Sequence, residues 1–125
     1  MKKVKGYIFS RPFMNERAPQ HVQNIVIRYF CQKHFLHYTL SASEYKMKNC
    51  SVILESLISK IKNIDGIVAY SLFQLPENIS KRNKILNKII KEKKFIGFAV
   101  EDIFVNKIKD IKKINQIWSV KKNLS

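Results

Sequence analysis

Residues 66–70 read Gly-Ile-Val-Ala-Tyr, an unbroken apolar run opened by Asp65-Gly66 and followed by the loop markers Pro76, Asn78 and Ser80. Successive side chains of a strand point to opposite faces, so a strand that is apolar at every position is buried on both faces. That is the pattern of a parallel sheet covered by helices on each side. The run therefore predicts the central strand of an α/β domain. Upstream, Leu54, Leu57, Ile58 and Ile61 recur at helical spacing from about Ser51 to Ile64, and residues 36–40 read as a strand. Before these, Val22, Ile25, Val26 and Tyr29 predict the inward face of a helix over 20–33, preceded by a strand over 4–9 that Pro12, Asn15 and Pro19 bring to an end. Downstream, Ile85, Leu86, Ile89 and Ile90 line a third helix, and residues 95–100 form a fourth strand. A last helix over about 106–120 carries Ile108, Ile111, Ile114 and Ile117 on one stripe, which is core or a homodimer seam, with Lys107, Lys109, Lys112 and Lys113 opposite. Strand–helix alternation of this kind predicts one α/β domain over 1–125. Its sheet is doubly wound and mostly parallel, with four strands or slightly more and helices on both faces.

Composition agrees with a single core. A chain of 125 residues, 46% of them apolar, buries roughly two thirds of its unfolded surface. No stretch approaches the ~20 apolar residues of a membrane span. The lysines at the start suit a secretory leader, but the apolar run after them is short and Arg11, Glu16 and Arg17 follow, so a cytoplasmic location is expected. The formal charge of +15 suits a polyanionic partner. However, 20 of the 24 basic residues are Lys, and the excess is spread: 11 basic and 5 acidic groups in residues 1–80, 13 and 4 in 81–125. Base and phosphate recognition favours the planar fork of Arg, so a solvated surface is the expectation rather than a nucleic-acid footprint. Cys31 and Cys50 make no CxxC pair, and His21, His34 and His37 have no thiol or carboxylate at ligand spacing, so no metal is expected. With only Gly6, Gly66 and Gly97, the chain has no glycine-rich phosphate loop and no dinucleotide fingerprint, and no cofactor is expected.

The order of segments resembles the serine recombinase (resolvase) catalytic domain over about residues 5–105. Gly6-Tyr7 matches the opening of that family's first strand, and the stretch 66–75 lies where the family has a strand followed by Lys-Leu-Asp-Arg-Leu. The catalytic positions depart from the pattern. Phe9 and Arg11 stand where the first-strand arginine and the nucleophilic serine would fall, with Ser10 one step early. Phe73, Gln74 and Glu77 replace an aspartate and two arginines, and the arginine of the second helix falls near Ser51. Phosphoryl transfer to serine needs arginines to neutralise charge on the phosphate, so strand cleavage is not expected. Nor is an appended helix-turn-helix expected after Ser125. A resemblance over nearly the whole chain is to the bacterial sporadic carbohydrate cluster proteins. It rests on residues 6–13, 17–24, 37–45, 70–76 and 98–101 (Gly-Tyr-Ile-Phe-Ser-Arg-Pro-Phe, Arg-Ala-Pro-Gln-His-Val-Gln-Asn, His-Tyr-Thr-Leu-Ser-Ala-Ser-Glu-Tyr, Tyr-Ser-Leu-Phe-Gln-Leu-Pro and Phe-Ala-Val-Glu). It implies a place in surface-polysaccharide biosynthesis and specifies no reaction.

In open parallel sheets, ligands bind beyond the carboxyl ends of the strands. The residues predicted there are Ser10 and Arg11 after the first strand, Glu44 and Tyr45 after the second, Ser71 and Gln74 after the third, and Glu101 after the fourth. The loop into the first helix adds Arg17, Gln20, His21 and Gln23. Arg11 and Arg17 are candidates for holding a sugar phosphate or sugar nucleotide, unless they pair with Glu16 or Glu44. Ser10, Gln20, Gln23, Ser71 and Gln74 are candidates for hydrogen bonds to it. Tyr45, with Tyr70 and Phe73, is a candidate stacking wall. His21, Glu44 and Glu101 are the candidate proton-transfer residues, with Glu44 and Glu101 expected on adjacent strand ends. The alternative is a non-catalytic resolvase-like module for dimerisation or nucleic-acid binding.

Overall fold

The computed structural model describes residues 1–13 and 17–124. Asn15, Glu16 and Ser125 lie outside the described residues. Five strands form one sheet in the order β2-β1-β3-β4-β5. They are β1 (Lys2–Ile8), β2 (Leu36–Ser43), β3 (Gly66–Ala69), β4 (Phe95–Phe98) and β5 (Ile103–Val105). The first four are parallel and β5 runs antiparallel to β4. The Gly66 run is central as predicted; its strand, Gly66–Ala69, stops one residue short of Tyr70, and all four strand residues are buried.

Helices α1 (Gln20–Lys33), α2 (Val52–Ser59), α3 (Ile79–Lys91) and α4 (Ile108–Leu124) cover the two faces unequally. Strand alternation sends Val4, Ile8 and Val68 toward α1, where they meet Ile27, Phe30 and Cys31. Tyr7, Phe9, Ile67 and Ala69 point to the other face and pack on Leu54, Leu86, Ile89 and Ile114 from the remaining three helices. From β1 the chain crosses to β2 over one face and returns over the other, past β1, to β3. The order therefore reverses between β1 and β3, and the loops leaving those two strands diverge there.

Several local expectations are corrected. The buried side of α1 is Gln23, Ile27, Phe30 and Cys31, whereas Ile25 and Tyr29 of the predicted stripe are 61% and 60% exposed. The second helix ends at Ser59, and a separate 3-10 turn, Ile61–Asn63, leads into β3. A three-residue strand, β5, stands between the fourth strand and the last helix. It is reached through Asp102, whose φ of 55° reverses the chain. In α4, Ile111 and Ile114 serve the core together with Trp118, while Ile108 is 73% exposed. No helix among the described residues is long and apolar enough to cross a membrane.

Candidate functional site

The loops that diverge from β1 and β3 enclose a cleft of about 550 Å³ at the carboxyl ends of the strands. Phe9, Arg11 and Phe13 form one wall, and Lys48 to Ser51, the approach to α2, form the second. Phe73 to Asn78 with Lys81 of α3 form the third, and Trp118 and Lys122 of α4 close the end. Among the described residues, four cationic side chains, Arg11, Lys48, Lys81 and Lys122, stand against one carboxylate, Glu77. The cleft is therefore net positive and partly apolar.

Behind its walls lies a hydrogen-bonded amide network. Gln23 accepts from the Phe9 N–H (2.9 Å) and donates to the Phe9 and Ala18 carbonyls (both 2.8 Å). Gln74 donates to the Gln23 oxygen (2.8 Å) and accepts from the N–H groups of Tyr70 and Ser71. Both amides are buried. They join the ends of β1 and β3 to the start of α1. Unpaired polar groups at this depth would each be costly, so the network fixes the loops that form the walls. Ser71 donates to Glu101 (2.7 Å), which also accepts from the Leu72 N–H (2.9 Å), and this ties the end of β4 to the same loop.

Glu44 is likewise occupied. Its two oxygens accept from the Tyr7 hydroxyl (2.8 Å) and from the N–H groups of Tyr45, Ile53 and Leu54, and the Cys50 thiol lies 3.5 Å away. Burial alone would raise its pKa. The donors from Ile53, Tyr7, Leu54 and Tyr45 outweigh that and hold the carboxyl below its ordinary value. Tyr7 moves the opposite way, well above the usual phenol range, because it is buried against the Glu44 charge. These bonds make Glu44 an anchor for the first turn of α2. Nor does it face Glu101. The strands they follow, β2 and β4, have β1 and β3 between them. Three strand spacings amount to roughly 14 Å, wider than carboxylate pairs that act on one glycosidic bond. The expected adjacency is corrected.

Arg11 lines the cleft, but its guanidinium is anchored. It donates to the carbonyls of Tyr45 and Cys50 (both 2.8 Å) and stacks 4.0 Å over the Phe9 ring. Its charge reaches the cleft while its geometry serves the loop before α2. Of the other sequence-predicted residues, Gln74 lines the cleft, and Ser10, Arg17, Gln20, His21, Gln23, Tyr45 and Ser71 do not. Gln20 bridges to the Ser43 hydroxyl (3.1 Å), and Arg17, His21 and Tyr45 are exposed. Phe73 forms part of the expected aromatic wall, packing edge-on against Trp118 with centroids 5.1 Å apart. Sequence reasoning missed Lys48, Lys81, Trp118 and Lys122, which come from three segments brought together only by the crossovers. Among the described residues, no group of three His, Cys, Asp or Glu side chains is placed to hold a metal ion.

Two solved structures share this architecture across nearly the whole chain. The N-terminal catalytic domain of TP901-1 integrase matches with a TM-score of 0.67 at 14% identity, covering 97% of this chain and 98% of that one. A resolvase family site-specific recombinase from Streptococcus pneumoniae matches with a TM-score of 0.64 at 10% identity, covering 96% and 89%. The fold is resolvase-like. No family model and no curated protein matches the sequence. Within this resolvase-like fold, the positions that the resemblance assigns to phosphate chemistry carry other duties: Phe9 is core, Gln74 is buried in the amide network and Phe73 packs on Trp118.

Proposed function

We propose that this chain is a non-cleaving, resolvase-like module that binds nucleic-acid phosphates in the strand-end cleft. The observation that carries this reading is the cluster of Arg11, Lys48, Lys81 and Lys122 around one concavity at the β1/β3 switch point, in a chain of net charge +15. Lysine ammonium groups hold phosphates as point charges and release counterions, giving sequence-tolerant, salt-dependent binding. The positions that the resemblance assigns to the first-strand arginine, the nucleophilic serine, the aspartate and two further arginines hold Phe9, Arg11, Phe73, Gln74 and Glu77, which argues against phosphoryl transfer to serine. Fluorescence anisotropy with a short duplex tests the reading. Wild type binds at low salt and loses affinity steeply toward physiological salt. Lys48→Ala/Lys81→Ala weakens binding at low salt and flattens the salt slope by about two. Salt-insensitive binding, or none, overturns it.

One observation favours a second reading, a sugar nucleotide or sugar phosphate in the same cleft. A volume of about 550 Å³ walled by Phe9, Phe13, Phe73 and Trp118 has the size and mixed polarity of a small-ligand site. This agrees with the resemblance to carbohydrate-cluster proteins. Native mass spectrometry against UDP-, GDP- and CMP-sugars separates the two readings: a retained sugar nucleotide, lost in the double lysine variant, replaces the first reading by the second.

A further inference from the structure

Helix α4 carries two apolar stripes. Ile111, Ile114 and Trp118 are buried against the core. Ile117, Val120 and Leu124 continue on another side and, with Phe73, line a shallow groove of about 500 Å³ rimmed by Lys113 and Lys121. Val120 is 59% and Leu124 82% exposed. Residues 111–125 contain four lysines and no aspartate or glutamate. This combination discriminates among occupants. A second copy docked about a two-fold axis would set the same lysines against each other. Nucleic acid would match the charge and leave the apolar stripe unused. An anionic bilayer matches both. Short apolar side chains enter the acyl boundary, and lysine stems lie along the interface with their ammonium groups among the headgroups.

We propose that the Ile117–Val120–Leu124 stripe of α4, with Phe73 and the flanking lysines, docks this chain onto the surface of an anionic bilayer. Phe73 lines both the groove and the cleft, so this docking sets the mouth of the cleft beside the headgroups. The inference stands apart from the identity of the cleft's ligand.

The test is co-sedimentation of the full chain, at physiological salt, with phosphatidylcholine vesicles and with vesicles containing a quarter phosphatidylglycerol. The expected result is pelleting with the anionic vesicles only. Val120→Asn/Leu124→Asn is expected to lower the partition about tenfold or more while leaving the unfolding midpoint, the oligomeric mass and DNA binding unchanged. Three results overturn the proposal. Wild type fails to pellet with phosphatidylglycerol; the double variant pellets as well as wild type, so that charge alone is responsible; or wild type is a dimer that the variant dissociates, so that a second copy covers the stripe. DNA binding by the wild type is read separately, so failure of one reading leaves the other measurable.

Discussion

Gln23 is polar, fully buried and hydrogen-bonded at both ends of its amide, and it determines how the walls of the cleft stand. Gln23→Ala strands the Phe9 N–H, two carbonyls and the Gln74 amide. It is expected to destabilise the fold by about 3 kcal/mol in urea unfolding, and a change under about 0.5 kcal/mol would show that the network relaxes without it. Glu44 makes a prediction of pH dependence. Its folded pKa is depressed, so the stability it contributes is complete above the unfolded glutamate value, about 4.3, and is lost as pH falls through the folded value. Glu44→Gln should therefore lower stability at neutral pH and flatten the decline of stability in acid. Equal acid sensitivity in variant and wild type would refute the anchoring role. Its position after a strand made Glu44 legible as a polar residue at the sheet edge. Sequence spacing carried no sign that Tyr7 and the first turn of α2 would converge on it.

The elements themselves were legible where periodicity runs long. The central β3 run and the four helices follow from it, because burial on two faces and burial on one stripe leave different spacings. Two features escaped that logic. α1 has apolar residues on two sides, and the side that faces the sheet is the one that also presents Gln23 to the β1 and β3 ends. β5 has three residues, too few for a period, and depends on a left-handed Asp102. Left-handed residues also follow the helices: Phe35 beyond α1, and Lys93, with φ 60°, beyond α3. A side chain in that region is strained relative to glycine. Lys93→Gly is expected to raise stability by about 1 kcal/mol, read as a higher urea midpoint, and a lower midpoint would mean that Lys93 makes a compensating contact.

At the scale of the molecule, the sequence pointed to the strand-end edge where the cleft lies, and named only part of the cleft's lining. Arg11 and Gln74 reach the cleft, Glu77 was legible only as a departure from the recombinase pattern, and Lys48, Lys81 and Lys122 arrive through loops and helices whose mutual placement only the crossovers define. The charge of +15 looks evenly spread along the chain, yet folding gathers four cations around one concavity. In the function proposed above, counterion release gives this cluster a hold on phosphates whose strength depends on salt. The central claim is that phosphates enter this cleft rather than bind anywhere on a basic surface. Titration of isotopically labelled protein with a short duplex, followed by amide NMR shifts at low salt, reads this directly. The account predicts saturable shifts concentrated at residues 48–51 and 73–81. Shifts scattered over exposed lysines of α3 and α4 away from the cleft, or no shifts at all, would contradict it.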